Sequence, residues 1–142
     1  MKIYFAGSIR GGRDDQPIYF QIIEHLKKNC TVLTEHVSDT KLTATGESGE
    51  NDEWIFNRDM DWLNEADVMV AEVTNPSLGV GYEIAKAESA GKPVICLFRQ
   101  SSGRSLSAMI AGNKNLEIVR YDDPAEAFRH LDSFLAGILK NA

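Results

Sequence analysis

Val68-Met69-Val70-Ala71-Glu72-Val73-Thr74-Asn75-Pro76-Ser77-Leu78-Gly79-Val80-Gly81-Tyr82-Glu83 is the stretch that decides the fold. An apolar run of strand length gives way there to a helical pattern, and the same alternation repeats on either side of it. Lys2–Ala6, Thr31–Thr34, Val68–Val73, Pro93–Phe98 and Leu116–Tyr121 read as five strands, with helices expected over 17–29, 52–66, 79–91, 105–111 and 124–140. Strands that alternate with helices pair in parallel and carry the helices on both faces. The expected fold is therefore α/β, a three-layer Rossmann-like (flavodoxin-like) domain with a five-stranded parallel sheet.

Local signals agree with these boundaries. Pro17 suits a first helical turn, Asn51 or Asp52 can cap the second helix, and Gly91-Lys92-Pro93 ends the third. Phe128, Leu131, Phe134, Leu135 and Ile138 form an apolar stripe on the last helix. With 142 residues, 43% hydrophobic and 25% charged, the chain reads as one soluble globular domain spanning 1–142. In open sheets of this kind ligands bind at the carboxyl ends of the strands, which selects the loops 7–16, 35–51 and 74–79. The polar stretch 38–49 could cover such a site.

Composition excludes several classes. The opening Met1-Lys2-Ile3-Tyr4-Phe5 is stopped by Gly7 without the pattern of a secretory signal, and no apolar stretch approaches a membrane span. Cys30 and Cys96 each lie beside an apolar run, and two lone cysteines without close spacing argue against a metal site or disulfide framework. The expected setting is reducing cytoplasm, with both thiols buried. A net charge of −6 disfavours a nucleic-acid polymer, which needs a basic surface. A small phosphorylated ligand needs only local donors, and Arg10 and Arg13 beside glycines supply them.

In Gly7-Ser8-Ile9-Arg10-Gly11-Gly12-Arg13, glycines let backbone amides approach a phosphate, although an ordinary βα turn has the same composition. The stretch matches neither a Walker loop nor the dinucleotide fingerprint, so no cofactor is implied. Glu83 falls in about the first turn of its helix, near the positive end of the dipole, where a carboxylate stays ionised. That suits a nucleophile at a sugar carbon; it also suits simple dipole compensation.

Asp59 shares a helical stripe with Ile55, Trp62 and Ala66, where desolvation would raise its pKa as a general acid requires. A partly exposed aspartate paired with Arg58 or Arg104 fits the same residues, and Asp61 lies on another, solvated face. Two carboxylates in contrasting surroundings are the working parts of retaining glycoside cleavage. Tyr4 could reach the ligand end of the first strand or simply pack in the core; His36 could contact a nucleotide or lie on the surface. His25 and His130 are expected on exposed helix faces. No cluster has metal-ligand spacing, so the chemistry is expected to be metal-free. In Ser102-Gly103-Arg104-Ser105-Leu106-Ser107-Ala108-Met109-Ile110, hydroxyls and backbone amides at a short helix start could bind an anion, although Ser105 as a helix cap with Met109 and Ile110 simply packed fits the same residues.

Ile3–Arg13, Leu33–Val37, Ala66–Thr74, Pro76–Glu83 and Leu106–Ile110 together resemble the 2'-deoxynucleoside 5'-phosphate N-hydrolases, within the nucleoside 2-deoxyribosyltransferase superfamily. The blocks occur in family order over most of the chain. The resemblance implies hydrolysis of deoxynucleoside monophosphates to free base and 2-deoxyribose 5-phosphate by a homodimer. Glu83 then matches the nucleophile, Asp59 the acidic residue acting at the base, and Tyr4 the tyrosine that assists them. Gly7, Ser8, Ile9, Arg10, Gly11, Gly12, Arg13, Ser77 and Gly79 match nucleotide and phosphate contacts, as does His36. Ser107, Ala108 and Met109 match residues that reach the neighbouring subunit's phosphate site. Trp54-Ile55-Phe56-Asn57 and residues 40–50 depart from the family pattern, which leaves the preferred base open. A deoxyribosyltransferase, a CMP-type ribonucleotide N-glycosidase and a non-catalytic nucleotide-sensing module are the competing readings.

Overall fold

The computed structural model describes residues 1–9, 15–38 and 50–142. Arg10, Gly11, Gly12 and Arg13, and nearly all of the polar loop 38–49, lie outside them. Strands β1 (Lys2–Ala6), β2 (Thr31–Val32), β3 (Val68–Glu72), β4 (Val94–Arg99) and β5 (Glu117–Tyr121) alternate with helices α1 (Gln16–Lys27), α2 (Asp52–Glu65), α3 (Leu78–Ser89), α4 (Ala108–Ala111) and α5 (Pro124–Lys140). The strands form one parallel sheet in the order β2-β1-β3-β4-β5. This is the expected three-layer α/β architecture, and its strand order reverses direction between β1 and β3.

Strand residues divide between the two helical layers by alternation. Ile3, Phe5, Val68, Val70, Ile95, Leu97, Val119 and Tyr121 pack with α1 and α5. Tyr4, Ala6, Met69, Ala71, Val94 and Cys96 pack with Leu63 of α2 and with Val80, Ile84 and Ala87 of α3. Tyr4 thereby points into the layer that also carries Asp59 and Glu83.

β2 is shorter than its sequence suggests because Thr34 leaves the ladder. Its Oγ1 accepts from the Phe5 N–H at 2.8 Å and donates to the Phe5 carbonyl at 2.6 Å. A side chain therefore satisfies the backbone groups that a longer strand would have paired. The chain then turns through a short 3-10 segment, Glu35–Ser38, that carries His36. Helix α2 starts at its expected cap, where Asn51 Oδ1 accepts from the Trp54 N–H at 2.8 Å. At its far end Lys92 Nζ donates to the carbonyls of Asn64 and Ala66, supplying positive charge where the helix dipole is negative. Pro17 opens α1, and Gly91, at φ 73°, ends α3 in the left-handed region.

Three expectations need correction. α4 is a single turn rather than 105–111, and its cap is Ser107, whose Oγ accepts from the Met109 N–H, rather than Ser105. His25 is only partly exposed, because its ring stacks on Phe128 at 4.3 Å and its Nε2 meets Asp132 Oδ1 at 2.7 Å. Cys96 is buried, which pushes its thiol up to about 12, but Cys30 is only partly buried.

Candidate active site

Tyr4, Asp59 and Glu83 come from three elements and meet in one place. Tyr4 is 2% exposed in the middle of β1, and its hydroxyl donates to the Glu83 carboxylate. The charge of Asp59, on α2, acts on both partners. Burial, then the carboxylates of Glu83 and Asp59, push the Tyr4 hydroxyl far above its ordinary value, so it remains a donor. The carboxyl of Glu83 is pushed up to about 8, chiefly by burial, then by Asp59, with the Tyr4 hydrogen bond opposing.

That state of Glu83 differs from the one its sequence position suggests. α3 begins at Leu78 and holds no acidic residue in its first turn; Glu83 belongs to the second, where the dipole has faded. Desolvation against β1 therefore decides its proton. Asp59 differs too. It is held in an ion pair, with its Oδ1 accepting from Arg58 Nε at 3.0 Å and from Nη2 at 2.8 Å. Arg58 in turn lies over the rings of Trp54 and Trp62, and its Nη2 is 3.3 Å from His36 Nε2. His36 is thus joined to the carboxylate group through Arg58. Asp61 is exposed, as expected.

The described ends of the Gly7–Arg13 loop are anchored in different ways. A Cβ on Gly7 would stand 2.8 to 3.0 Å from three atoms of the Tyr19 ring, so the glycine is required by packing. The Tyr19 hydroxyl accepts from the Ser8 N–H at 2.9 Å, and Ser8 is buried while Ile9 packs against the α1/α5 core. On the far side, Asp15 Oδ1 accepts from Arg99 Nη2 at 2.8 Å. Behind Arg99 sits Glu72, fully buried, taking hydrogen bonds from the Thr74 N–H at 2.7 Å, the Thr74 hydroxyl at 3.0 Å and the Tyr121 hydroxyl. Burial raises its carboxyl despite these donors.

Ser77 caps α3, its Oγ accepting from the Val80 N–H at 3.3 Å. Gly79 and Gly81 follow, and a Cβ at either would meet no atom closer than 3.8 Å. Packing within the chain does not need these glycines, and each weakens the helix by about 1 kcal/mol relative to Ala. They leave room for something to approach. Ser77, Leu78, Gly81, Ser107 and Met109 line a cleft of about 640 Å³ that includes none of Tyr4, Asp59 and Glu83. Within one chain, then, the Ser107–Met109 segment is not assembled with the carboxylates; Ser107, Ala108 and Met109 are all exposed.

Sequence reading offered Arg58 as one possible partner of Asp59 but missed its stacking on Trp54 and Trp62, and it missed the Asp15–Arg99–Glu72 group. Trp54, Arg58 and Trp62 stand at a spacing of four, which places them on one helix face. Glu72 is a charged residue inside an otherwise apolar strand run, which demands buried partners.

The family model for nucleoside 2-deoxyribosyltransferase matches residues 3–117. A mouse protein named 5-hydroxymethyl-dUMP N-hydrolase is 57% identical over 111 residues, 78% of this chain and 64% of its own length. A northern pike (Esox lucius) protein of the same name is 48% identical over 145 residues, covering 99% of this chain and all of its own. Among solved structures, a Clostridium botulinum CMP N-glycosidase superposes with a TM-score of 0.67 at 19% identity, over 94% of this chain and 99% of that one, a likeness of fold. These matches show that the chain, which gathers Tyr4 of β1 with the carboxyls of Asp59 on α2 and Glu83 on α3, belongs to the nucleoside 2-deoxyribosyltransferase family.

Proposed function

We propose that the protein hydrolyses the N-glycosidic bond of 2'-deoxynucleoside 5'-monophosphates, releasing the base and 2-deoxyribose 5-phosphate through a glycosyl-enzyme intermediate on Glu83. The observation that carries this reading is the meeting of Tyr4, Asp59 and Glu83 at the sheet's reversal point. With Glu83 raised to about 8 beside a charged Asp59, the free site holds one proton on its carboxylate pair at neutral pH. One proton is what the first step consumes. As Glu83 gives it up, its carboxylate attacks C1' of the sugar, the C1'–N bond breaks, and Asp59 passes the proton to the departing base. Water then attacks the glycosyl ester with Asp59 as base, and Glu83 is regenerated.

The named activity of the mouse and pike relatives supports a modified pyrimidine deoxynucleotide as one substrate. Gly7–Arg13 and Ser77 suit the 5'-phosphate, which favours hydrolysis of nucleotides over base exchange on free nucleosides. A homodimer completes the site in this reading. Leu78 is 97% exposed and Met109 82% exposed on the cleft shared with Ser77 and Ser107, and a second copy would bring Ser107–Met109 to the phosphate. A reducing cytoplasm fits two free cysteines.

The test is base release from 5-hydroxymethyl-dUMP, dGMP, GMP and deoxyguanosine, with and without an added second base, followed by chromatography. Base release from the deoxynucleotides alone, unaffected by a second base, is expected. Glu83→Ala should lose on the order of 10³-fold in turnover. Near-normal turnover in that variant would remove Glu83 as nucleophile.

A further inference from the structure

Arg58 and Asp59 are consecutive residues of α2, and neighbours on a helix point about 100° apart. For Arg58 to reach Asp59 its side chain must fold back along the helix surface. Two indoles hold it there: its guanidinium carbon lies 5.1 Å from the ring centre of Trp54, one turn earlier, and 4.7 Å from that of Trp62, one turn later. In that position Nε and Nη2 both donate to a single carboxylate oxygen, Asp59 Oδ1, at 3.0 and 2.8 Å. On the other flank, the His36 ring tilts against Trp62 at 5.5 Å, with Nε2 3.3 Å from Arg58 Nη2. The two charged side chains are only 17% and 20% exposed. A solvated surface pair would fix little, whereas a partly buried, forked and stacked one holds a geometry.

We propose that Arg58 is a positioning residue: clamped between Trp54 and Trp62, it fixes the orientation in which Asp59 meets Tyr4 and Glu83. The inference rests on the reading of Asp59 as the group that carries the proton to and from the base. Arginine is the residue the task needs, because a lysine ammonium lacks both the two-donor fork and the planar face that stacks between indoles.

Steady-state kinetics of Arg58→Lys, Arg58→Ala and Asp59→Asn on 5-hydroxymethyl-dUMP test it. Both Arg58 variants should lose on the order of 10- to 100-fold in kcat, with KM held within about threefold, because orientation rather than binding is lost. Added methylguanidinium should restore part of the turnover of Arg58→Ala by occupying the slot between the indoles, and methylammonium should not. A merely structural arginine would lower the melting temperature without a guanidinium-specific recovery. Turnover of both Arg58 variants within about threefold of the parent, with Asp59→Asn inactive, would overturn the positioning role and leave Asp59 in place. So would a raised KM at unchanged kcat, which would make Arg58 a binding residue. Asp59→Asn at the parent's rate would remove the reading on which the inference stands.

Discussion

Glu83 owes its chemistry to neighbours far from it in sequence. Burial against β1 and the charge of Asp59 raise its carboxyl to about 8, and the Tyr4 hydroxyl pulls it back. In the proposed mechanism the first step consumes the proton that Glu83 holds in the free site, so kcat/KM should fall as pH rises through a limb near 8. The two partners then predict shifts of opposite sign. Tyr4→Phe removes the donor that stabilises the carboxylate and should move the limb upward; Asp59→Asn removes a repelling charge and should move its residual activity's limb downward. Profiles of kcat/KM against pH for both variants check this, and shifts in the same direction would contradict the proposed electrostatics. That Tyr4, Asp59 and Glu83 would lie together was legible from the family pattern. The location of the proton was not, because periodicity shows which turn a residue occupies only to within a few positions and says nothing of what packs over it.

The elements were legible where their signals are local. The Asn51 cap, Pro17 and Gly91 act through their own backbone, and each stands where the pattern put it. β2 was overestimated because Thr34 exchanges hydrogen bonds with Phe5, a residue 29 positions earlier, and no local pattern records that pairing. The turn after β1 shows the same dependence on distant residues. Gly7 is glycine because the Tyr19 ring of α1 lies flat against it while the Tyr19 hydroxyl holds the Ser8 N–H. Gly7→Ala places a methyl 2.8 Å from a ring that has no exposed side toward which to move. The expected cost is about 1–3 kcal/mol of stability from overpacking, read by urea denaturation. An unchanged midpoint would show that Tyr19 can yield.

At the scale of the molecule, alternation of strands and helices was enough to expect a parallel three-layer sheet. Strand order was not readable, yet it is what brings β1 beside β3 and opens the crevice in which Tyr4 faces α2 and α3. The exposed apolar side chains of Leu78 and Met109 belong to this scale too. If two copies meet over that cleft, Leu78→Glu with Met109→Glu should leave the fold intact, halve the mass seen by sedimentation, and lower deoxynucleotide hydrolysis by withdrawing the partner's Ser107–Met109. A parent protein that sediments as a monomer at micromolar concentration would contradict the shared site.

The raised carboxyl of Glu83 also bears on folding. An unfolded chain releases that proton near pH 4.5, whereas the folded one keeps it until about pH 8. Across this window the native state binds a proton that the unfolded state does not, so the stability this group contributes falls as pH rises and reaches its minimum above 8. The proton that secures the fold is the one the proposed reaction spends, so alkali weakens the domain and deprives the first step together.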